Sequence, residues 1–128
     1  MDADQLLTEY AAAWGRGDPE AAWTYYADDV VMRLPGRGAL AGDHIGKAAV
    51  VTAIQGLLAR TDGTPVEVDV IDRLVSPTRV ALVLREVALR GQDRLELRRV
   101  NVYEVRDDHI VSIDVFEADQ YDVDEFFG

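Results

Sequence analysis

The sequence predicts an α+β domain in which helices come first and a long antiparallel sheet follows, one face of the sheet lying against the helices. Two observations predict it. Apolar residues recur at three- and four-residue spacing through residues 1–60, then at period two, with many β-branched side chains, from residue 66 onward. The chain of 128 residues, 48% hydrophobic, has material for one core and no second, so a single domain over 1–128 is expected.

Leu6, Leu7, Tyr10, Ala11 and Trp14 give a first helix one apolar face, and Gly15-Arg16-Gly17 stops it. Asp18-Pro19-Glu20 supplies a cap and a proline suited to a first helical turn, so a second short helix is expected through Trp23 and Tyr26. Val30 to Leu34 reads as a short strand ended by Pro35-Gly36, and the glycine-rich stretch to Gly46 as a loop. Ala49, Val50, Ala53, Ile54, Leu57 and Leu58 define a third helix from Lys47 to Arg60. Strands are expected at Val66–Val75, Arg79–Arg90, Arg94–Val105 and Ile110–Phe116, the last three joined through Gly91-Gln92 and Asp107-Asp108, pairs suited to two-residue hairpins. An antiparallel meander follows, and the acidic, aromatic tail from Asp119 to Phe127 reads as a short closing turn or helix.

Composition excludes several functions. Net charge is −11, and Lys47 is the one lysine among 13 basic residues, a field that repels phosphate backbones and anionic membranes, so neither nucleic acid nor membrane is an expected partner. With no cysteine there is no thiolate nucleophile and no disulfide. The start of the chain is acidic rather than basic-then-apolar and no apolar run approaches membrane-spanning length, so a cytoplasmic location is expected. Asp43-His44 has no second ligand at metal spacing, and no strand–loop–helix phosphate cradle is present, so no metal and no cofactor are expected.

The Trp-Gly-Arg-Gly-Asp turn between two helices, Tyr26-Ala27-Asp28-Asp29-Val30, the segment Leu34-Pro35-Gly36-Arg37-Gly38-Ala39-Leu40-Ala41-Gly42-Asp43-His44-Ile45-Gly46, and the ending Val105 to Ile110 followed by Asp119-Gln120-Tyr121 together resemble the SnoaL-like, ketosteroid isomerase-like branch of the nuclear transport factor 2-like superfamily. The resemblance covers nearly the whole chain. It implies a cone-shaped α+β barrel around one pocket for a small hydrophobic molecule, commonly in homodimers, and a family that includes polyketide cyclases, isomerases, dehydratases and non-catalytic binders. Family roles carry over unevenly. Tyr10 falls where the isomerase pattern has its oxyanion-hole tyrosine, and Tyr26 matches a supporting tyrosine. Leu34 and Val102 stand where that pattern has acids, and an apolar side chain takes no proton. Val115 likewise replaces an acid of the epoxide hydrolase pattern, with Met32 and Leu34 in place of its Tyr and Asn.

Hairpin counting then gives a register. A two-residue turn at Asp107-Asp108 pairs Val105 with Ile110, Val102 with Ile113, Val100 with Val115 and Arg98 with Glu117, and one at Gly91-Gln92 pairs Arg85 with Arg98, Val83 with Val100 and Ala81 with Val102. The face carrying Val83, Val100, Val102, Ile113, Val115 and the Arg85–Arg98–Glu117 row is the more apolar and is expected to face the pocket, with Tyr10, Trp14, Tyr26, Met32 and Leu34 completing it. The opposite face, bearing Asn101, Tyr103 and Asp114, suits a wet dimer interface. Tyr10, Arg85 and Glu117 are the catalytic candidates: the arginine row could hold a carboxylate or enolate, with Glu117 as acid or base, or it could be a solvated sheet end. His44 is either a proton shuttle at the pocket mouth or an exposed loop residue, and His109 is a surface residue beside its turn. Two functions stay open: a cofactor-independent cyclase, isomerase or dehydratase working by acid–base catalysis, and a non-catalytic binder or dimeric scaffold.

Overall fold

The computed structural model describes residues 1–63, 65 and 67–128, so Val66, the expected start of the second strand, lies outside the described residues. α1 (Ala3–Gly15) begins where the Asp2 side chain accepts from the Gln5 N–H at 2.8 Å, and it buries Ala3, Leu6, Leu7, Tyr10 and Ala13 along one stripe. Asp18 caps α2 (Pro19–Trp23) in the same way, with proline where no N–H is needed. β1 (Tyr26–Leu34) is longer than its apolar run because Tyr26 is itself buried. β2 (Gly42–Ile45) lies inside the expected loop and pairs antiparallel with β1, and α3 (Lys47–Ala59) follows. Then come β3 (Glu67–Val75), β4 (Arg79–Arg90), β5 (Asp93–Arg106), β6 (His109–Glu117) and α4 (Gln120–Phe127).

The strands form one six-stranded sheet in the order β2-β1-β6-β5-β4-β3. The expected meander is its larger part, and β1 joins by running parallel to β6. The sheet does not close into a barrel: β2 and β3 remain as edges. α1 and α3 cover one face, where Leu6, Leu7 and Tyr10 meet Val80, Leu82, Leu84 and Tyr103 in one core. Among the described residues, helices α1 and α3, which pack into that core, lie on this one face.

Both hairpin turns form at the expected residues. Asp107 and Asp108 adopt φ of 53° and 60°, as a type I′ turn requires, and Gly91 takes φ 60°. The β4–β5 pairs are those expected, among them Arg85 with Arg98 and Val83 with Val100. The β5–β6 pairs depart after the first. Val105 faces Ile110, but Glu104 then faces Ser112, so Val111 is the extra residue of a bulge and every later pair is displaced by one: Tyr103 with Ile113, Asn101 with Val115, Arg99 with Glu117.

Candidate functional site

The bulge decides which side chains enter the interior. Side chains alternate along a strand, and β4 turns Val80, Leu82 and Leu84 toward the helices. Their β5 partners Tyr103, Asn101 and Arg99 therefore point inward, and Glu86 follows in the same alternation. Without the bulge β6 would turn Ser112, Asp114 and Phe116 inward from Ile110. With it, Ile113, Val115 and Glu117 take those places. The inner face reads, in rows, Val80–Tyr103–Ile113, Leu82–Asn101–Val115 and Leu84–Arg99–Glu117.

This corrects the expected face. Val83, Val100 and Val102 lie on the outer side with Arg85 and Arg98, and none lines the interior. Arg85 instead reaches across the outer surface to Glu96 at 2.6 Å, Asp69 at 2.9 Å and Glu67 at 3.3 Å, and Arg98 is exposed. These partners raise the Arg85 pKa and lower that of Glu96, the mark of a surface ion cluster. The apolar count misleads because it weighs three valines against Asn101 and Tyr103. Val80, Leu82 and Leu84 are the larger surface, and Tyr103 stacks edge-on against Tyr10 with centroids 5.8 Å apart. Tyr103 is core, so it offers no dimer surface, and Asn101 points inward with it.

One end of the interior is a closed aromatic cluster. Tyr10 and Tyr26 share a 2.6 Å hydrogen bond between hydroxyls, and burial pushes both phenols, with that of Tyr103, above the ordinary range. The Tyr10 hydroxyl is thus committed to Tyr26 and is not among the groups lining the recess described below. Trp14 packs edge-on against Trp23, and Met32 is buried in the core beside Ile113. His44, on β2, bonds the Leu40 carbonyl through Nε2 at 2.7 Å, which ties down the loop rather than serving a proton path. His109 is exposed and bonds the Asp107 carbonyl.

The other end holds a recess of about 60 Å³, walled by Leu34, Leu40, Leu57, Val115 and Phe127, with Arg99, Glu117 and Asp124 as its charged groups. The Glu117 side chain is only 2% exposed, and Arg99 stands between it and Glu86. Arg99 Nη2 donates to Glu117 Oε2 at 3.2 Å and Nη1 to Glu86 Oε2 at 3.4 Å. Nε lies 2.7 Å from Glu117 Oε1, yet its N–H is not directed along that line, so this contact is a charge pair and leaves both atoms without a hydrogen bond. Burial raises the proton affinity of Glu117; the Arg99 charge and hydrogen bond oppose it, while Glu86 and Asp124 add to it. Asn101, one row deeper, donates from Nδ2 to the Tyr103 hydroxyl at 3.3 Å and has a buried, unpartnered Oδ1. No cluster of metal-ligating side chains occurs among the described residues.

α4 closes over this end. Its Asp124 carboxylate accepts from the Arg37 N–H, Gln120 donates to the Pro35 carbonyl at 3.4 Å, and Arg90 both donates to the Phe126 carbonyl at 2.6 Å and lies over the Phe126 ring. Gly36, at φ 96°, leaves room for this contact: a Cβ there would run into Gln120 and Asp124. Sequence reasoning missed Glu86 and set Arg99 and Asn101 on the opposite face of the sheet. The signal was the three-residue spacing of Ile110 and Ile113, which strict alternation cannot place on one face.

A family model, the SnoaL-like domain, matches residues 7–113. Bal32a, from a soil-derived mobile gene cassette, superposes with a TM-score of 0.87 at 26% identity over 98% of this chain and 95% of that one. A nuclear transport factor 2-like protein of Burkholderia xenovorans gives 0.76 at 24% identity over 97% and 94%. TerC, co-crystallised with polyporic acid, gives 0.80 at 15% identity over 96% and 95%; the last two likenesses concern the fold alone. No curated protein matches the sequence. No described helix is long and apolar enough to cross a membrane.

Proposed function

We propose that this chain, which belongs to the SnoaL-like domain family, binds a small hydrophobic molecule in the recess beneath α4 and acts on it by acid–base chemistry through Glu117. One observation carries the reading: a carboxylate almost wholly withdrawn from water stands at an apolar wall, with its proton affinity raised by burial and its position held by Arg99. A raised carboxyl is a better base when ionised and an available acid when protonated, nearer to physiological pH than an exposed glutamate. Cyclisation, isomerisation and dehydration each need such a group and no cofactor. Tyr10 supports the site from behind, by holding Tyr26 in the core wall.

The recess as it stands accommodates a few water molecules, whereas small-molecule pockets run to several hundred Å³. A ligand fills it when α4 swings outward, and α4 is suited to that because none of its residues is fully buried. The test is titration with Nile red, a neutral apolar dye, against wild type and Val115→Phe, which fills the recess. One saturable site, weakened at least tenfold by the substitution, is expected; equal affinity in both proteins would remove the reading. A panel of aromatic β-hydroxy ketones scored for loss of water checks the chemistry. Activity lost in Glu117→Gln with dye binding retained supports acid–base catalysis, and binding with no turnover favours the carrier.

The outer sheet face gives the homodimer its surface. Val83, Val100 and Val102 form an apolar strip on it with Leu74 and Phe116, each 58% exposed, between the Arg85 ion cluster at one end and the Arg33–Asp114 and Arg79–Glu104 pairs at the other. An apolar centre with charges of both signs around it is self-complementary, as a two-fold contact requires. Val102→Glu is expected to convert the dimer to monomer in sedimentation while leaving the fold unchanged, and a wild type that sediments as monomer at every concentration would end the idea.

A further inference from the structure

We propose that the ligand presents a neutral hydroxyl to the polar end of the recess and is not an anion. The inference rests on the binding reading above and specifies its chemistry. Three carboxylates, Glu117, Glu86 and Asp124, stand around a single guanidinium at this end, so the field is already negative before a ligand arrives. Arg99, which an anionic ligand would need, is committed on both sides: Nη1 to Glu86 and Nη2 to Glu117, with Nε held against Glu117 Oε1. The two arginines that a sequence reading offers to an anion, Arg85 and Arg98, are on the far face of the sheet.

What remains unspent is accepting capacity. Asn101 Oδ1, one row deeper on the same face and beside Val115 of the recess wall, has no hydrogen bond, and Glu117 Oε1, though paired in charge with Arg99 Nε at 2.7 Å, has no N–H directed at it. A buried acceptor without a donor, as Asn101 Oδ1 is, costs free energy until one is supplied, and Glu117 Oε1, balanced in charge by Arg99, still has lone-pair capacity for one. The Asn101 amide could be turned over, which would leave its NH₂ unspent instead. A hydroxyl has one proton and two lone pairs, so it donates to Glu117 while accepting from the turned-over amide, and in the other orientation it donates to one of the two acceptors. A carboxylate has no proton for Glu117 and adds a further negative charge beside it. The hydroxyl on Glu117 is also positioned to lose its proton to it, which ties recognition to the acid–base step.

Three probes with one two-ring body separate the cases: 2-naphthol, 2-methoxynaphthalene and 2-naphthoate, titrated calorimetrically at pH 7. 2-Naphthol should bind wild type about tenfold tighter than its methyl ether, the worth of one good hydrogen bond, and 2-naphthoate should bind weakest. Asn101→Leu should shrink the naphthol preference severalfold, and Glu117→Gln, which removes the charge and keeps the shape, should strengthen 2-naphthoate severalfold. The inference is overturned if 2-naphthoate binds wild type as tightly as 2-naphthol, or if the naphthol preference is unchanged in both variants. If all three probes bind equally, the recess reading stands and the hydroxyl is wrong. If none binds, the recess reading falls and takes the hydroxyl with it.

Discussion

Two arginines one strand apart, Arg85 on β4 and Arg99 on β5, each gather carboxylates, and the sheet puts them on opposite faces. Arg85 meets Glu67, Asp69 and Glu96, all near half exposed, where water competes for every contact. Arg99 meets Glu86, 15% exposed, and Glu117, 2% exposed, where little water competes. By contact count the outer cluster is the richer. By consequence the inner one matters more, because only there does losing a partner strand a charge away from solvent. Composition cannot tell such clusters apart, and burial can.

The largest separation is expected from Arg99→Met. It leaves Glu117 and Glu86 facing each other without a cation, and urea unfolding should show a loss of about 3 kcal/mol, the lower end for a broken buried pair because Arg99 is itself 18% exposed. The loss should be greater at pH 8 than at pH 5, since Glu117 can escape by taking a proton. An equal loss at both pH values would mean that Glu117 is not the stranded group.

A smaller effect is expected from Glu117→Gln, and it appears in the pH dependence. The folded pKa of Glu117 is raised above its ordinary 4.5, so the folded state holds that proton more tightly than the unfolded state does. Its stabilising contribution is therefore complete below the unfolded value and is lost as pH rises through the folded one. Unfolding midpoints measured from pH 4 to 8 should fall along that part of the wild-type curve and run flatter in Glu117→Gln. A variant with the wild-type slope would assign the titration to another group.

The smallest effect is expected from Arg85→Met. Its contacts are with exposed carboxylates, and the urea midpoint at 150 mM salt should stay within experimental scatter of wild type, with the pH profile unchanged. A large loss there would erase the contrast between the two faces.

Much of the architecture is legible in the sequence because it is written in short-range signals. Asp18 announces a helix start, Gly91-Gln92 and Asp107-Asp108 announce turns, and the β4–β5 register follows from the turn by counting. β2 is illegible because Gly42-Asp43-His44-Ile45 has no alternation; its partner β1 supplies the reason for a strand. The parallel β1–β6 pairing is likewise a long-range fact. At the site, Glu117 reads correctly as inward-facing, but its partner reads one residue off, as Arg98 instead of Arg99, since counting from a turn propagates any inserted residue undetected. Leu34 and Val115 lie at the recess wall, whereas Val83, Val100 and Val102 fall outside because side-chain size outweighs the number of apolar positions.

The bulge at Val111 acts on β6 as an inserted base acts on a reading frame. Upstream of it the strand is read in one phase and downstream in the other, so one residue near the turn decides whether Ile113, Val115 and Glu117 or Ser112, Asp114 and Phe116 are spelled into the interior. Drawing Val111 into the ladder would exchange a lining of two aliphatics and a carboxylate for one of a hydroxyl, a carboxylate and an aromatic ring, with no substitution at any lining position, whereas deleting Val111 would remove the bulge and leave Ile113, Val115 and Glu117 inside. A scaffold with this device takes up an extra residue beside the turn without changing which side chains line its interior.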